Sequence, residues 1–292
     1  MNSFEIGVIL PGVGVQHDQG IDLREAARHA EDAGLDGVWH GDHLAVGAPT
    51  LDAPIALATA AAATTRVRIG ASVLVPAIRP VVWAAKQVAT LQYVSGGRLV
   101  LGVGSGGGAG QWAAAGVPYA ERGPRTDTAL ELLPRLLAGE RTELMDAPPV
   151  PMPPVWVGNA SMAAIRRAAR LGDGWFPSLI SPREVAEGGA RLAELAAEHD
   201  RPAPVIAIGA TGALGTGVPS REELARGVGS AYGRPVEEVA DIPLTGQPKE
   251  AAEKLAAYRE AGARHAIVGI AGGDWRAQVE LLAEVRVLVN EQ

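Results

Sequence analysis

Short apolar runs alternate along this chain with longer stretches whose apolar residues recur three and four positions apart. The first run, Phe4 to Leu10, stops at Pro11-Gly12; Leu23, Ala26, Ala27 and Ala30 then mark one helical face, and Gly34 ends it. The clearest unit is Val67-Arg-Ile-Gly-Ala-Ser-Val-Leu-Val75, which turns through Pro76 and Pro80 into a helix reaching Tyr93. Val81, Ala84, Val88 and Leu91 share a face of that helix, and after the break Ser95-Gly96-Gly97 a new strand runs from Arg98 to Gly104. Two apolar strands joined by one helix make a parallel βαβ unit, because a hairpin needs only a few linking residues.

The same alternation continues on both sides. Strands are predicted at Asp36 to His40, Val155 to Val157, Trp175-Phe176, Val205 to Ile208 and His265 to Ile270. Helices are predicted at Ile55 to Ala63, Thr126 to Ala138, Met162 to Leu171, Pro182 to His199, Lys249 to Ala261 and Trp275 to Val289. The glycine cluster Gly104 to Gly110 is expected to be irregular, and Thr211 to Pro248 yields only two short helical pieces, Arg221 to Tyr232 and Val236 to Ala240. Eight strands, each followed by helix, favour a closed barrel over an open sheet. The expected fold is therefore α/β, a (β/α)8 TIM-like barrel forming a single domain over residues 1–292, with any active site at the strand C-termini.

Composition narrows the function classes. With 292 residues and 47% hydrophobic content, the chain can bury one large core. Its net charge is −7 and it has no basic stripe, which argues against nucleic acid as a partner. Cysteine is absent, so disulfides, thiolate nucleophiles and thiolate metal sites are excluded. Glu5 and Pro11 interrupt the first apolar run and no run reaches bilayer length, so a soluble, cytoplasmic protein without membrane contact is expected.

Candidate chemistry gathers at strand ends. Strand two runs into Gly41-Asp42-His43, where His43 reads as an acid or base beside a ligand, or as a half-exposed residue next to a capping Asp42. Ser72-Val73 closes strand three, and Gly104-Ser105 follows strand four, where glycine lets a ligand approach the backbone or simply makes a loop. Gly158-Asn159-Ala160-Ser161 precedes a helix, the place for a phosphate or for an ordinary N-cap. Arg79, Arg166, Arg183 and Arg276 sit near strand tops or helix starts and read as phosphate ligands or surface charges. The histidines show no metal-ligand spacing. Trp39, Trp83 and Trp112 read as core, rim or stacking platforms.

Taken in order, these motifs resemble the luciferase-like monooxygenase superfamily. The likeness is carried by Ala27 to Gly34 with Leu35 to His43, by Ser72-Val-Leu-Val-Pro76, Ser95 to Gly104 and Gly116 to Gly123, and by Val155 to Ser161, Arg170 to Phe176 and Gln247 to Lys254. The resemblance spans nearly the whole chain and is nearest to the deazaflavin branch. It implies coenzyme F420, with FMN as the alternative, and hydride transfer between the deazaflavin C5 and a small organic substrate in a homodimer. By the same likeness Asp42 and His43 contact the ring, with His43 near the transferred hydride. Ser72-Val73 matches a cis peptide against the ring, Asn159, Ala160 and Ser161 match the phosphate loop, and Ser178 and Arg183 match tail contacts. Gly107 stands where a glucose-6-phosphate dehydrogenase of that branch has an acidic residue, and Gly110 replaces an amide, which implies a different substrate. An FMN-dependent monooxygenase and a non-catalytic flavin- or deazaflavin-binding barrel are the competing readings.

Overall fold

The computed structural model describes residues 3–140, 143 and 145–291. Its elements, in chain order, are β1 (Glu5–Ile9), α1 (Val13–Gln19), α2 (Leu23–Asp32), β2 (Gly37–His40), α3 (Ala53–Ala63), β3 (Arg68–Ala71), α4 (Val81–Val94), β4 (Leu99–Val103), α5 (Ala109–Ala114) and α6 (Arg122–Leu137). They continue with β5 (Val155–Gly158), α7 (Met162–Leu171), β6 (Gly174–Phe176), α8 (Pro182–Ala197), β7 (Val205–Gly212), α9 (Arg221–Tyr232), α10 (Val236–Val239), α11 (Pro248–Glu260), β8 (Ala263–Ile270) and α12 (Trp275–Glu291). All eight strands pair in parallel in chain order, and β8 closes on β1 through Glu5–His265 to Val8–Val268. The expected TIM-like barrel is what the chain forms.

Side chains alternate across each strand, so the barrel has an outer and an inner core. Ile6, Val8, Val38, Ile69, Leu99, Leu101, Val155 and Val157 meet the alanine-rich helix faces outside. Small residues there bring helix and sheet close: Ala26, Ala27 and Ala30 of α2 are all fully buried. The lumen is filled differently, by Trp39, Val100, Trp156, Phe176, Ala207 and Ile267. Trp39 and Trp156 stack with centroids 5.2 Å apart, and Phe176 leans on Trp39 at 5.7 Å. A Cβ on Gly7 or Gly70 would overlap the Trp39 ring, and one on Gly174 would overlap Trp156, so inward glycines make room for two indoles. At the N-terminal end Glu5 takes Arg68 Nε at 2.9 Å and His265 Nδ1 at 3.2 Å, which seals the floor with polar contacts.

Four local differences from the sequence reading have simple causes. The segment α1 was not anticipated because none of its residues is buried and it carries no apolar stripe. The third strand ends at Ala71 instead of Val75; the chain kinks at Ser72-Val73, and Leu74 rejoins the sheet by a lone bridge to Val103. The glycine cluster is irregular only to Gly108, and a helix starts at Ala109. Strand seven runs on to Gly212, held by continuous pairing with β8. Both helical pieces expected within Thr211 to Pro248 are present as α9 and α10. No helix among the described residues is long and apolar enough to cross a membrane.

Candidate active site

The C-terminal mouth of the barrel is built around Val73. The Ser72-Val73 peptide is cis. On either side of it, Ser72 N–H donates to His40 O at 2.9 Å and Leu74 N–H to Gly102 O at 2.8 Å, so the kink is stitched to both neighbouring strands. The Val73 side chain turns into the lumen against inward glycines. A Cβ on Gly158 would lie 2.9 Å from Val73 Cγ1, one on Gly102 3.3 Å from the same atom, and one on Gly104 closer still to Cγ2. Bulk that three glycines at the ends of β4 and β5 lack is thus supplied by one valine, and the aromatic plug lies below it. Above it Ile9, Gly209, Thr211 and Gly269 are half-buried, and His43 and Gly107 to Gly110 are exposed, so the mouth is open to solvent.

Asp42 and His43 take separate roles. The Asp42 carboxylate, 7% exposed, accepts from Val75 N at 2.9 Å and from Arg79 Nη2 at 2.6 and 2.8 Å. It ties the exits of β2 and β3 together, and Arg79 is consumed in the same pair. His43 is exposed at the rim, and its Nε2 would be 3.0 Å from a Cβ on Gly41. The ring therefore folds over Gly41. Beneath it His40 is 8% exposed with neither ring nitrogen hydrogen-bonded. Burial, reinforced by His43, holds His40 below the usual imidazole value and outweighs the opposing pull of the Leu51 backbone, Asp42 and Asp52. His40 is the buried neutral member of the pair and His43 the solvent-facing one.

The second half of the mouth is the start of α7. Asn159 adopts the left-handed conformation (φ 91°), its Oδ1 accepts from Ser161 N at 2.9 Å, and its carbonyl accepts from Trp175 Nε1 at 2.9 Å. Ser161 caps α7 by accepting from Ala164 N at 3.4 Å. The first-turn amides of Met162 and Ala163 have no carbonyl one turn back to reach, and both residues are exposed. Ala160 is half-buried between them and the core, and Gly158 lies under Val73.

The remaining candidates divide. Ser178 continues the inward alternation above Phe176, bridges to Gly209 and is half-buried. Ser105 lies half-buried at the mouth beside Gly104. Arg183 does not converge: its side chain is 82% exposed and pairs with Glu187 one turn along α8. Arg276 pairs with Glu25 at 2.5 Å. Of the three tryptophans, Trp39 and Trp112 are core and Trp83 is 66% exposed. Sequence reading missed Gln111, whose side chain spans two mouth loops, and the buried state of His40; neither position carries a periodicity that marks it.

A flat ring with an anionic tail needs an apolar bed, a titratable group at its edge and a row of free amides. Val73 on its glycines, His43 and the start of α7 supply these, so the residues present fit a flavin or deazaflavin.

A closed, parallel eight-stranded barrel whose strand C-termini open to solvent defines a TIM-like α/β class. The chain belongs to the luciferase-like monooxygenase family, whose sequence profile matches residues 5–226. It is 38% identical to an F420-dependent glucose-6-phosphate dehydrogenase of Beutenbergia cavernae, in a match covering 59% of this chain and 57% of that protein. The match thus spans little more than half of that relative's length. Among solved structures, an F420-dependent secondary alcohol dehydrogenase in complex with an F420-acetone adduct superposes with a TM-score of 0.81 at 17% identity, covering 98% of this chain and 99% of that one. The FMN-bound oxygenating constituent of 3,6-diketocamphane monooxygenase from Pseudomonas putida gives 0.74 at 16% identity, covering 98% of each chain. At such identities these two likenesses establish the fold.

Proposed function

We propose that this protein is an F420-dependent oxidoreductase that moves a hydride between the deazaflavin and a small organic substrate. The observation that carries the reading is the apolar bed of Val73, seated on Gly102, Gly104 and Gly158, with the exposed His43 ring beside it. The F420-dependent relative and structural neighbour support the choice of cofactor. When bound, the deazaflavin supplies the hydride acceptor or donor at its C5. Val73 and its glycines support the ring face, and Asn159, Ser161 and the amides of Met162 and Ala163 hold the tail phosphate. His43 gives or takes the substrate proton at its ring nitrogen, while buried His40 stays neutral beneath it. Leu44 (58% exposed), Val46 (47%) and the side-chain-free Gly107 make the rim apolar and roomy, which suits an uncharged substrate better than a sugar phosphate.

The FMN-dependent monooxygenase is the second reading, supported by the FMN-bound neighbour of the same fold. His43→Ala tests the lead. Turnover of reduced or oxidised F420 with a panel of alcohols, ketones and enones should fall by roughly 10²–10⁴-fold, with F420 affinity and thermal midpoint close to wild type. Full activity in the variant removes His43 from the chemistry. Tight F420 binding without turnover on any substrate favours a binding protein instead.

A further inference from the structure

His43 stands on an exposed loop, residues 43–50, that has no helix or strand of its own. An acid–base group on such a loop needs something rigid to aim it. The peptide that follows its Cα is held at both ends. The His43 carbonyl accepts from Thr50 Oγ1 at 3.2 Å, and the Leu44 N–H donates to Gln111 Oε1 at 2.8 Å. Because the peptide unit is planar, gripping its C=O and N–H restrains the His43 ψ angle and with it the direction in which the Cα–Cβ bond carries the ring.

Gln111 does more than accept one bond. Its Oε1 also takes Ala45 N–H at 3.4 Å, and its Nε2 donates to Gly107 O at 3.2 Å. Two amide donors face one end of the carboxamide and a carbonyl faces the other, so the chemistry allows only this orientation. The base is firm: Gln111 lies on α5, whose next residue, Trp112, is fully buried against Val75 and Ala77 just beyond the kink at Val73. One side chain therefore joins the loop after β2, the glycine loop after β4 and, through Trp112, the segment that follows β3.

We infer that Gln111 is a positioning residue for His43, a clasp across the mouth that aims the imidazole by holding the His43–Leu44 peptide while fixing the glycine loop beside it. The inference rests on the reading of His43 given above. Gln111→Ala removes both ends of the clasp. Gln111→Glu keeps an acceptor for the Leu44 and Ala45 amides while replacing the donor to Gly107 O by an oxygen that turns away from that carbonyl.

The test uses the full chain without cofactor. Imidazole nitrogen–proton NMR spectra are recorded, with the His43 signals assigned from their loss in His43→Ala, and F420 affinity is measured separately by fluorescence quenching. The expected result is one sharp His43 pattern in wild type and in Gln111→Glu. In Gln111→Ala that pattern is broadened or doubled, and F420 binds about three- to tenfold more weakly. Unchanged His43 signals in Gln111→Ala overturn the inference, as does a Gln111→Glu spectrum as disordered as that of Gln111→Ala. Failure of wild type to bind F420, with the His43 signals still responding to Gln111→Ala, removes the cofactor assignment and leaves the positioning intact.

Discussion

Gly104→Ala is the sharpest probe of the bed under the proposed ring. The added Cβ would sit closer than 3.0 Å to Val73 Cγ2, inside any distance that real Cβ atoms keep. Val73 is boxed in by Gly102 and Gly158, so its only free direction is upward into the mouth. Overpacking of this kind costs about 1–3 kcal/mol. Val73→Ala alone removes two half-buried methyl groups, about 1 kcal/mol at roughly 0.8 kcal/mol per fully buried carbon. In the double variant the offending Cγ2 is gone and the Val73 Cβ lies 3.6 Å from the new methyl, an ordinary contact. The loss should then be near that of Val73→Ala alone, a coupling of about 2 kcal/mol in favour of the pair. Urea unfolding of the four proteins reads the cycle, and F420 titration of Gly104→Ala should show weakened binding as Val73 rises into the mouth. Losses that add within about 0.5 kcal/mol would refute the seating of Val73 on Gly104.

Two further predictions concern the charges that brace the barrel. Asp42→Ala leaves Arg79, 20% exposed, without its carboxylate and frees Val75 N–H, and should cost about 3 kcal/mol in urea unfolding; a wild-type midpoint would show that the pair carries no stability. Burial raises the Glu5 pKa, but His265 and Arg68 more than reverse this and hold it at about 2, against an ordinary 4.5. A depressed carboxylate contributes stability that is present above pH 4.5 and is lost as pH falls toward 2, so Glu5→Gln should flatten that part of an acid-unfolding curve followed by circular dichroism, and an unchanged curve would contradict the network.

How much of this was legible depended on how local the cause was. The faces of α2 and α4 announce themselves through apolar residues at helical spacing, and Gly34 and Gly96 mark their ends with positive φ. Gly209 to Gly212 has no strand-like alternation, yet it pairs with β8 residue by residue, a tertiary cause that no short window contains. In the site, His43 and Asn159 stood out because residues just past strand ends reach a barrel mouth. The commitment of Asp42 could not be seen, since its partner Arg79 lies 37 positions away and meets it only through the kinked segment that follows β3. Arg183 differs in that its partner is local: a helix-start arginine, it stands exposed beside Glu187 one turn along the same helix. Gln111 is one polar residue after a glycine cluster, and only the meeting of two loops gives it a task.

Titrating the wild-type protein with F420 and, separately, with FMN, each followed by fluorescence quenching, tests most directly whether a deazaflavin lies on the Val73 bed beside His43. Saturable quenching by F420, with FMN binding more weakly, is the predicted result. Tighter binding of FMN, or no binding of either, would contradict it.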